Sequence, residues 1–253
     1  MASKRERYSY TRLMKELKAG GSASTADLYT RLGVTDDVWG VSYEFLKKLD
    51  KKVEPDHELA EKLWASGNHD ARIFACWVAE PAKVTQKLLD TWARDVKQNV
   101  GLLIEVANLA AFCDLGAKCS RKWRKVKAET KSAMGWSILG SLAMQPDRAL
   151  DEGGVTDEEL TECLAEIEAK IHTAPNRTKS NMNQALIAIG CRSTMTKATL
   201  KVAKRVGAVE VDQGDRSCTT LVAYDRIKKT VDRYKAKGKK PTDGAGGKRR
   251  RHC

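Results

Sequence analysis

The stretch ELAEKLWASGNHDARIFACWVAEP, residues 58–81, contains the pattern that decides the fold class. Its first part places Leu59, Leu63 and Trp64 on one helical face and stops at Gly67. Its second part ends before Pro81 and turns four further apolar residues inward, namely Ile73, Phe74, Trp77 and Val78. The stretch therefore predicts two amphipathic helices joined by a short turn.

The same arrangement of two helices recurs along the chain. The pairs are AKVTQKLLDTWARDV with NVGLLIEVANLAAFC, SRKWRKVKAE with SAMGWSILGSLAMQP, and TDEELTECLAEIEAKIH with RTKSNMNQALIAIGC. The second helices are spaced by roughly 30 to 50 residues, which brackets the period of HEAT-type repeats. A single pair cannot bury its apolar face, so the pairs have to stack. We predict an all-α, HEAT-like α-solenoid (an alpha-alpha superhelix) of antiparallel helix pairs; a compact helical bundle is the alternative.

Composition sets the domain boundaries. Residues 1–234 are predicted to form the HEAT-like domain. The segment KAKGKKPTDGAGGKRRRHC, residues 235–253, is a low-complexity run of Gly, Lys and Arg and is predicted to be a disordered basic tail.

The charge balance favours a polyanionic partner. The 253 residues have a formal net charge of +13, and 31% of them are charged, which points to nucleic acid rather than to acidic small substrates. The seven cysteines form no CxxC pair, and no His or Cys stands at ligand spacing, so we expect reduced cysteines, no metal and no cofactor. No apolar run approaches the roughly 18 residues of a membrane span. We expect a cytoplasmic monomer that does not bind membranes.

Two segments offer cations to DNA phosphates. The segment KCSRKWRKVKAETK, residues 118–131, is basic, and Arg121, Lys122 and Lys125 fall near one helical face while Lys131 lies close by. The segment NRTKSNMNQ opens a helix with Arg177 and Lys179 near its first turn, where free backbone N–H groups also favour an anion. The alternatives are a solvated face for the first segment and ordinary N-capping by Asn176 or Thr178 for the second.

A third segment, RSTMTKATLKVAKRVG, residues 192–207, is the strongest phosphate-binding candidate. Lys197, Lys201, Lys204 and Arg205 recur at intervals of four, three and one residues, which places them in one basic stripe. The alternative is again a solvated helix face.

Several stretches together resemble the AlkD-like DNA alkylation repair family. These are MKELKAGGSAST, GVSYEFLKKL, ARIFACWVAEPAKVT, DTWARDV, NRTKSNMNQALIAIG and AKRVGAVEVDQGDRSC, in the order of the chain from residue 14 to residue 218. The resemblance implies a HEAT-like helical solenoid that holds duplex DNA against a basic concave face. It also implies that some relatives excise positively charged alkylated purines.

The residues that perform excision in the active relatives are replaced here. The resemblance places Asn99 where those relatives have an aromatic residue, and Leu103 where they have the Asp that stabilises the positive charge developing on the sugar. Ala133 stands at the position of an Arg that contacts the DNA backbone, and Ala188 at that of a further aromatic residue. Glu105 lies two residues after Leu103, about 200° away around the helix.

We therefore predict a DNA-binding member of the alkylation repair family that lacks the glycosylase residues and has duplex DNA as its partner. Two alternatives remain open. One is an active DNA glycosylase that excises alkylated purines by means of another acid, such as Glu105. The other is a non-enzymatic scaffold that binds protein or RNA, because the fold does not decide the function.

Overall fold

The computed structural model of the protein describes residues 5–97, 99–212 and 219–243, and these residues are mostly helical. They form thirteen α-helices, one 3-10 helix and no β-strand. Pairing of the β type within these ranges is limited to isolated bridges, between Glu6 and Val53 and between Gly21 and Val41. The all-α prediction is therefore confirmed.

The chain divides into two compact units, whose boundary lies between Leu109 and Ala110. The helices that begin in unit 1 are α1 Tyr10–Ala19, α2 Ala23–Arg31, α3 Tyr43–Asp50, α4 His57–Ala65, α5 His69–Val78, α6 Gln86–Asp95 and α7 Val100–Ala111, with the 3-10 helix Pro81–Lys83 before α6. Those of unit 2 are α8 Gly116–Arg124, α9 Glu129–Ala143, α10 Asp157–Lys170, α11 Asn176–Cys191, α12 Thr196–Val206 and α13 Ala223–Lys235.

The helix pair predicted from residues 58–81 is present as α4 and α5, which pack against each other. Gly67 forms the turn with a φ of +75°, a conformation that residues with a Cβ rarely adopt. Asn68 then caps α5, its side chain accepting a hydrogen bond from the N–H of Ala71 at 3.0 Å. The apolar residues of both helices are buried, as their spacing predicted.

The helices of unit 2 lie in two layers. Ion pairs connect α8 to α10 and α10 to α12, so these three helices lie side by side. In the second layer α11 packs between α9 and α13. The layers come close at Gly135, where a Cβ would lie 2.5 Å from the backbone nitrogen of Arg124. The first helix of each pair therefore presents its polar face on one side of the unit.

Helix α13 ends at Lys235, where the predicted basic tail begins. The chain continues in turns as far as Asp243, whose carboxylate accepts a hydrogen bond from the N–H of Lys240 at 2.8 Å. Thr242 is only 7% exposed, so this part of the predicted tail is packed against the unit. Residues 244–253 lie outside the described residues.

Candidate nucleic-acid interface

Asn99 and Leu103 lie at the start of α7, and both are buried. The side-chain oxygen of Asn99 accepts a hydrogen bond from the N–H of Leu102 at 3.1 Å, so it caps the helix. Its amide nitrogen lies 2.8 Å from Nδ1 of His69. Neither position offers an exposed ring or a carboxylate to a DNA sugar.

Glu105, the alternative acid, is also buried, with 2% of its surface exposed. Its Oε2 accepts a hydrogen bond of 2.7 Å from the indole N–H of Trp77. Burial, and then the negative charge of Glu105, raise the pKa of the neighbouring Tyr43 well above its ordinary value. The carboxylate of Glu105 is therefore engaged inside unit 1.

A polar cluster surrounds these residues. Burial lowers the pKa of His69 to about 4, so the ring is neutral at neutral pH. Because Asn99 donates to Nδ1, the ring proton lies on Nε2. Tyr29 packs edge-on against the ring, with centroids 5.0 Å apart. The sequence signals this cluster only by an Asn immediately before an apolar helix, a pattern typical of N-caps.

The four cations of the predicted α12 stripe are exposed. Lys197, Lys201 and Lys204 have no carboxylate within ion-pairing distance in the described part of the chain. Arg205 instead binds Glu168 of α10 through two hydrogen bonds of 2.5 and 2.8 Å. The same contact lowers the pKa of Glu168. Three members of the stripe thus remain available to a ligand.

The basic face of α8 is partly neutralised in a similar way. Arg121 forms a bidentate contact with Glu159 at 3.0 and 2.6 Å, whereas Lys122 and Lys125 are exposed. Sequence reasoning did not single out Arg124, which lies 3.0 Å from Glu166 and packs 4.9 Å from the ring centre of Trp136. Its role is to hold α8, α9 and α10 together.

The start of α11 differs from the expectation of an open anion site. The backbone N–H of Arg177 donates to the carboxylate of Glu129 at 2.6 Å, so the protein supplies its own anion there. Neither Asn176 nor Thr178 caps the helix. Asn176 instead exchanges two hydrogen bonds of 2.8 Å with the backbone of Asp212.

The ten predicted DNA-binding residues do not lie on a single helical layer. Those of α8 and α12 belong to one layer of unit 2, which contains Arg121, Lys122, Lys125, Lys197, Lys201, Lys204 and Arg205. Lys131, Arg177 and Lys179 belong to the N-terminal turns of α9 and α11 in the other layer. Lys131 packs 5.2 Å from the ring of Trp123. Lys125 lines a cavity of about 370 Å³ together with Thr178 of α11.

Two other features concern metals and membranes. Within the described ranges, no three His, Cys, Asp or Glu side chains are grouped closely enough to hold a metal ion. Among the helices described, none combines the length and the apolar character needed to cross a membrane.

Comparison with known proteins places these features in a family. The solved structure of a protein from a family related to the HEAT-like repeat DNA glycosylases, with affinity for branched DNA structures, matches with a TM-score of 0.80 and 28% identity, over 97% of this chain and 99% of that one. This match confirms the HEAT-like repeat fold class over a compact bundle. Two uncharacterised proteins are also similar, Lmo0209 of Listeria monocytogenes (25% identical; 90% of this chain, 99% of the relative) and Lin0241 of Listeria innocua (26%; 89% and 98%).

The family model for the DNA alkylation repair enzyme matches residues 13–198, which is most of the chain. It spans α7, α9 and α11 with the residue before α7, where the replaced signature positions lie. By its sequence and its helical repeats, the chain belongs to the DNA alkylation repair enzyme family.

Proposed function

We propose that the protein binds DNA through its phosphates without excising bases, and that branched DNA is its preferred ligand. The observation that supports this most directly is the exposed row of Lys197, Lys201 and Lys204 on α12, which has no carboxylate partner among the described residues.

A row of lysines suits a phosphate backbone better than it suits base edges. Lys197, Lys201 and Lys204 are separated by four and three residues, which is about 6 and 4.5 Å along the helix axis. Such cations neutralise phosphates and release counterions, a contribution that does not depend on base sequence. The net charge of +13 adds a long-range attraction of the same sign.

The proposal that the protein does not excise bases is supported by residues in and next to α7. When a cationic alkylated base leaves, it takes the electrons of the glycosidic bond and departs neutral, so positive charge develops on the sugar and a carboxylate close to the sugar is needed to stabilise it. Leu103 cannot supply one, and Asn99 is used as a helix cap. The carboxylate of Glu105 is buried against Trp77, so it cannot take over the role.

The preference for branched DNA rests on similarity. Affinity for branched DNA is a property of the family of the matched structure, which is 28% identical over nearly the whole chain. A branch point brings phosphates of several arms close together. It therefore offers more phosphates to a cationic face of limited size than a single duplex does.

The test is a comparison of a four-way junction with a duplex of the same arm sequence, by fluorescence anisotropy at several salt concentrations. We expect the junction to bind at least about tenfold tighter, a difference of about 1.4 kcal/mol. Equal binding of the two forms, or binding that salt does not weaken, would contradict the proposal. DNA containing N-methylpurines should release no free base, and measurable release would overturn the non-enzymatic part.

A further inference from the structure

A cavity of about 790 Å³ in unit 2 is lined by none of the residues discussed above as DNA-binding. It lies where α9 and α11 end, α10 begins and the turn after α13 passes. Its wall contains Arg192, Ser193 and Thr194 from the loop between α11 and α12, and Lys240 from the last turn. Carboxylates also line it, including those of Asp147, Glu152 and Asp157.

Arg192 is the unusual residue of this cavity. It is only 8% exposed, and its Nε lies 2.7 Å from a carboxylate oxygen of Asp157. Its Nε and Nη1 are both buried, and neither forms a hydrogen bond with a described residue, so the contact with Asp157 is an ion pair. A buried N–H group without a partner is unfavourable, and a guanidinium fork matches the oxygens of a phosphate. The side chain is therefore held on one edge by Asp157 and lacks an acceptor on the other.

The start of α12 points to the same kind of ligand. The helix begins at Thr196, after Arg192, Ser193, Thr194 and the N-cap residue Met195, and it has neither a side-chain cap nor an acidic residue in its first turn. The N-terminus of an eleven-residue helix carries a partial positive charge that favours an anion. Ser193 and Thr194 are exposed and add two hydroxyl donors.

A second cavity, of about 400 Å³, adjoins the first and shares Ser193 and Lys240 with it. It is also lined by Lys235 and Lys239, and none of the described residues of its wall carries a carboxylate. If a DNA strand has its terminal phosphate in the first cavity and continues into the second, its next phosphates lie near Lys235, Lys239 and Lys240.

We propose that the Arg192 cavity binds the terminal phosphate of a DNA strand, a phosphomonoester, against Arg192 and the start of α12. A guanidinium this deeply buried is out of reach of phosphates on a duplex lying across the surface, whereas a strand end enters. In this arrangement the carboxylates of Asp147 and Glu152, which also line the cavity, accept hydrogen bonds from the sugar or base of the terminal nucleotide. The inference rests on the proposed function only in that the ligand is DNA.

The test uses the full chain and three short single strands of one sequence, with a 5′-phosphate, a 3′-phosphate or neither, titrated by fluorescence anisotropy. We expect one phosphorylated end to bind about tenfold tighter than the unphosphorylated strand. Inorganic phosphate should compete with that end. Equal, salt-dependent binding of all three strands overturns the terminal-phosphate site and leaves the proposed DNA binding in place. If neither the single strands nor the four-way junction binds, both the terminal-phosphate site and the proposed DNA binding are overturned.

Two variants and one control variant locate the effect. Arg192→Gln should abolish the preference for the phosphorylated end. Because loss of Arg192 could also weaken folding, Ala198→Glu provides an independent check. It adds a carboxylate to the exposed first turn of α12, which helix N-termini tolerate well, but it repels a phosphate. Lys239→Glu is the control: it should weaken the binding of all three strands equally, so that the ratio of their affinities does not change. A preference that survives in both Arg192→Gln and Ala198→Glu would overturn the proposal.

Discussion

The carboxylate of Glu105 on α7 accepts a hydrogen bond of 2.7 Å from the indole N–H of Trp77 on α5, 28 residues earlier in the chain. Because of this contact, Glu105, the acid two residues after the family's catalytic position, is part of the core of unit 1. The contact also explains why a carboxylate persists on an otherwise apolar helix: the buried indole needs an acceptor.

Replacement of Glu105 should therefore affect stability. We expect Glu105→Ala to lower the free energy of unfolding by about 1–3 kcal/mol, because the indole N–H of Trp77 loses its acceptor. Urea denaturation measures the change. Glu61→Ala, at an exposed position of α4, is the control and should cost less than about 0.5 kcal/mol. Equal losses for the two variants would contradict a structural role.

Restoring the signature residues should not restore chemistry. Leu103 is 1% exposed, so Leu103→Asp buries a carboxylate, and Asn99→Trp removes the cap of α7. We expect the double variant to lose more than about 3 kcal/mol of stability. Thermal denaturation and a base-release assay would be run together. A variant that stays as stable as the wild type and releases methylated bases would show that this end of α7 can still accept a substrate.

Charge reversal on α12 tests the phosphate contacts. The triple variant Lys197→Glu, Lys201→Glu and Lys204→Glu should weaken duplex binding, and each lost contact should reduce the salt slope by about 0.9. The control variant reverses three exposed lysines of unit 1, Lys51, Lys62 and Lys87, so it changes the net charge equally. If both triple variants lose the same affinity in anisotropy titrations, the α12 row is only a solvated face.

Arg205 is held by Glu168, and its release should strengthen DNA binding. Glu168→Gln removes the competing carboxylate, and we expect duplex affinity at low salt to rise roughly two- to fivefold, with the salt slope growing by about 0.9. Glu61→Gln removes the same charge from α4 and is the control. The pair is exposed, so the melting temperature should hardly change. Equal gains for both variants would assign the effect to net charge alone.

The burial of His69 makes stability depend on pH. Its pKa is about 4 in the folded protein against 6.5 in the unfolded chain, so the unfolded chain takes up the proton first as the pH falls. The stability that neutral His69 contributes is complete above pH 6.5 and declines between pH 6.5 and pH 4, by about 3 kcal/mol in total.

The His69→Gln variant isolates this contribution from the titration of carboxylates. Glutamine can still accept the hydrogen bond from Asn99 but does not titrate. Denaturant unfolding of both proteins from pH 7.5 to pH 4 should give curves that converge as the pH falls. Curves that stay parallel across this range would show that His69 is not kept neutral by burial.

Much of the fold and part of the site follow from the sequence. The spacing of Leu59, Leu63 and Trp64 identifies a helix and its buried face, because a helix repeats every 3.6 residues whatever it packs against. For the same reason the row of Lys197, Lys201 and Lys204 could be recognised as one exposed face. The loss of a carboxylate at position 103 is likewise visible in the chain itself.

Other properties were decided only by tertiary structure. Arg121 and Arg205 belong to the predicted basic faces, yet each meets a glutamate of α10, 38 and 37 residues away. Glu129 occupies the start of α11 in place of a phosphate. Arg192, which has no basic neighbour in the chain, is buried beside a cavity. Local spacing determines which residues share a face, because it depends on backbone geometry alone. Which charge opposes that face depends on helices that are distant in sequence and brought together by burial of their apolar sides.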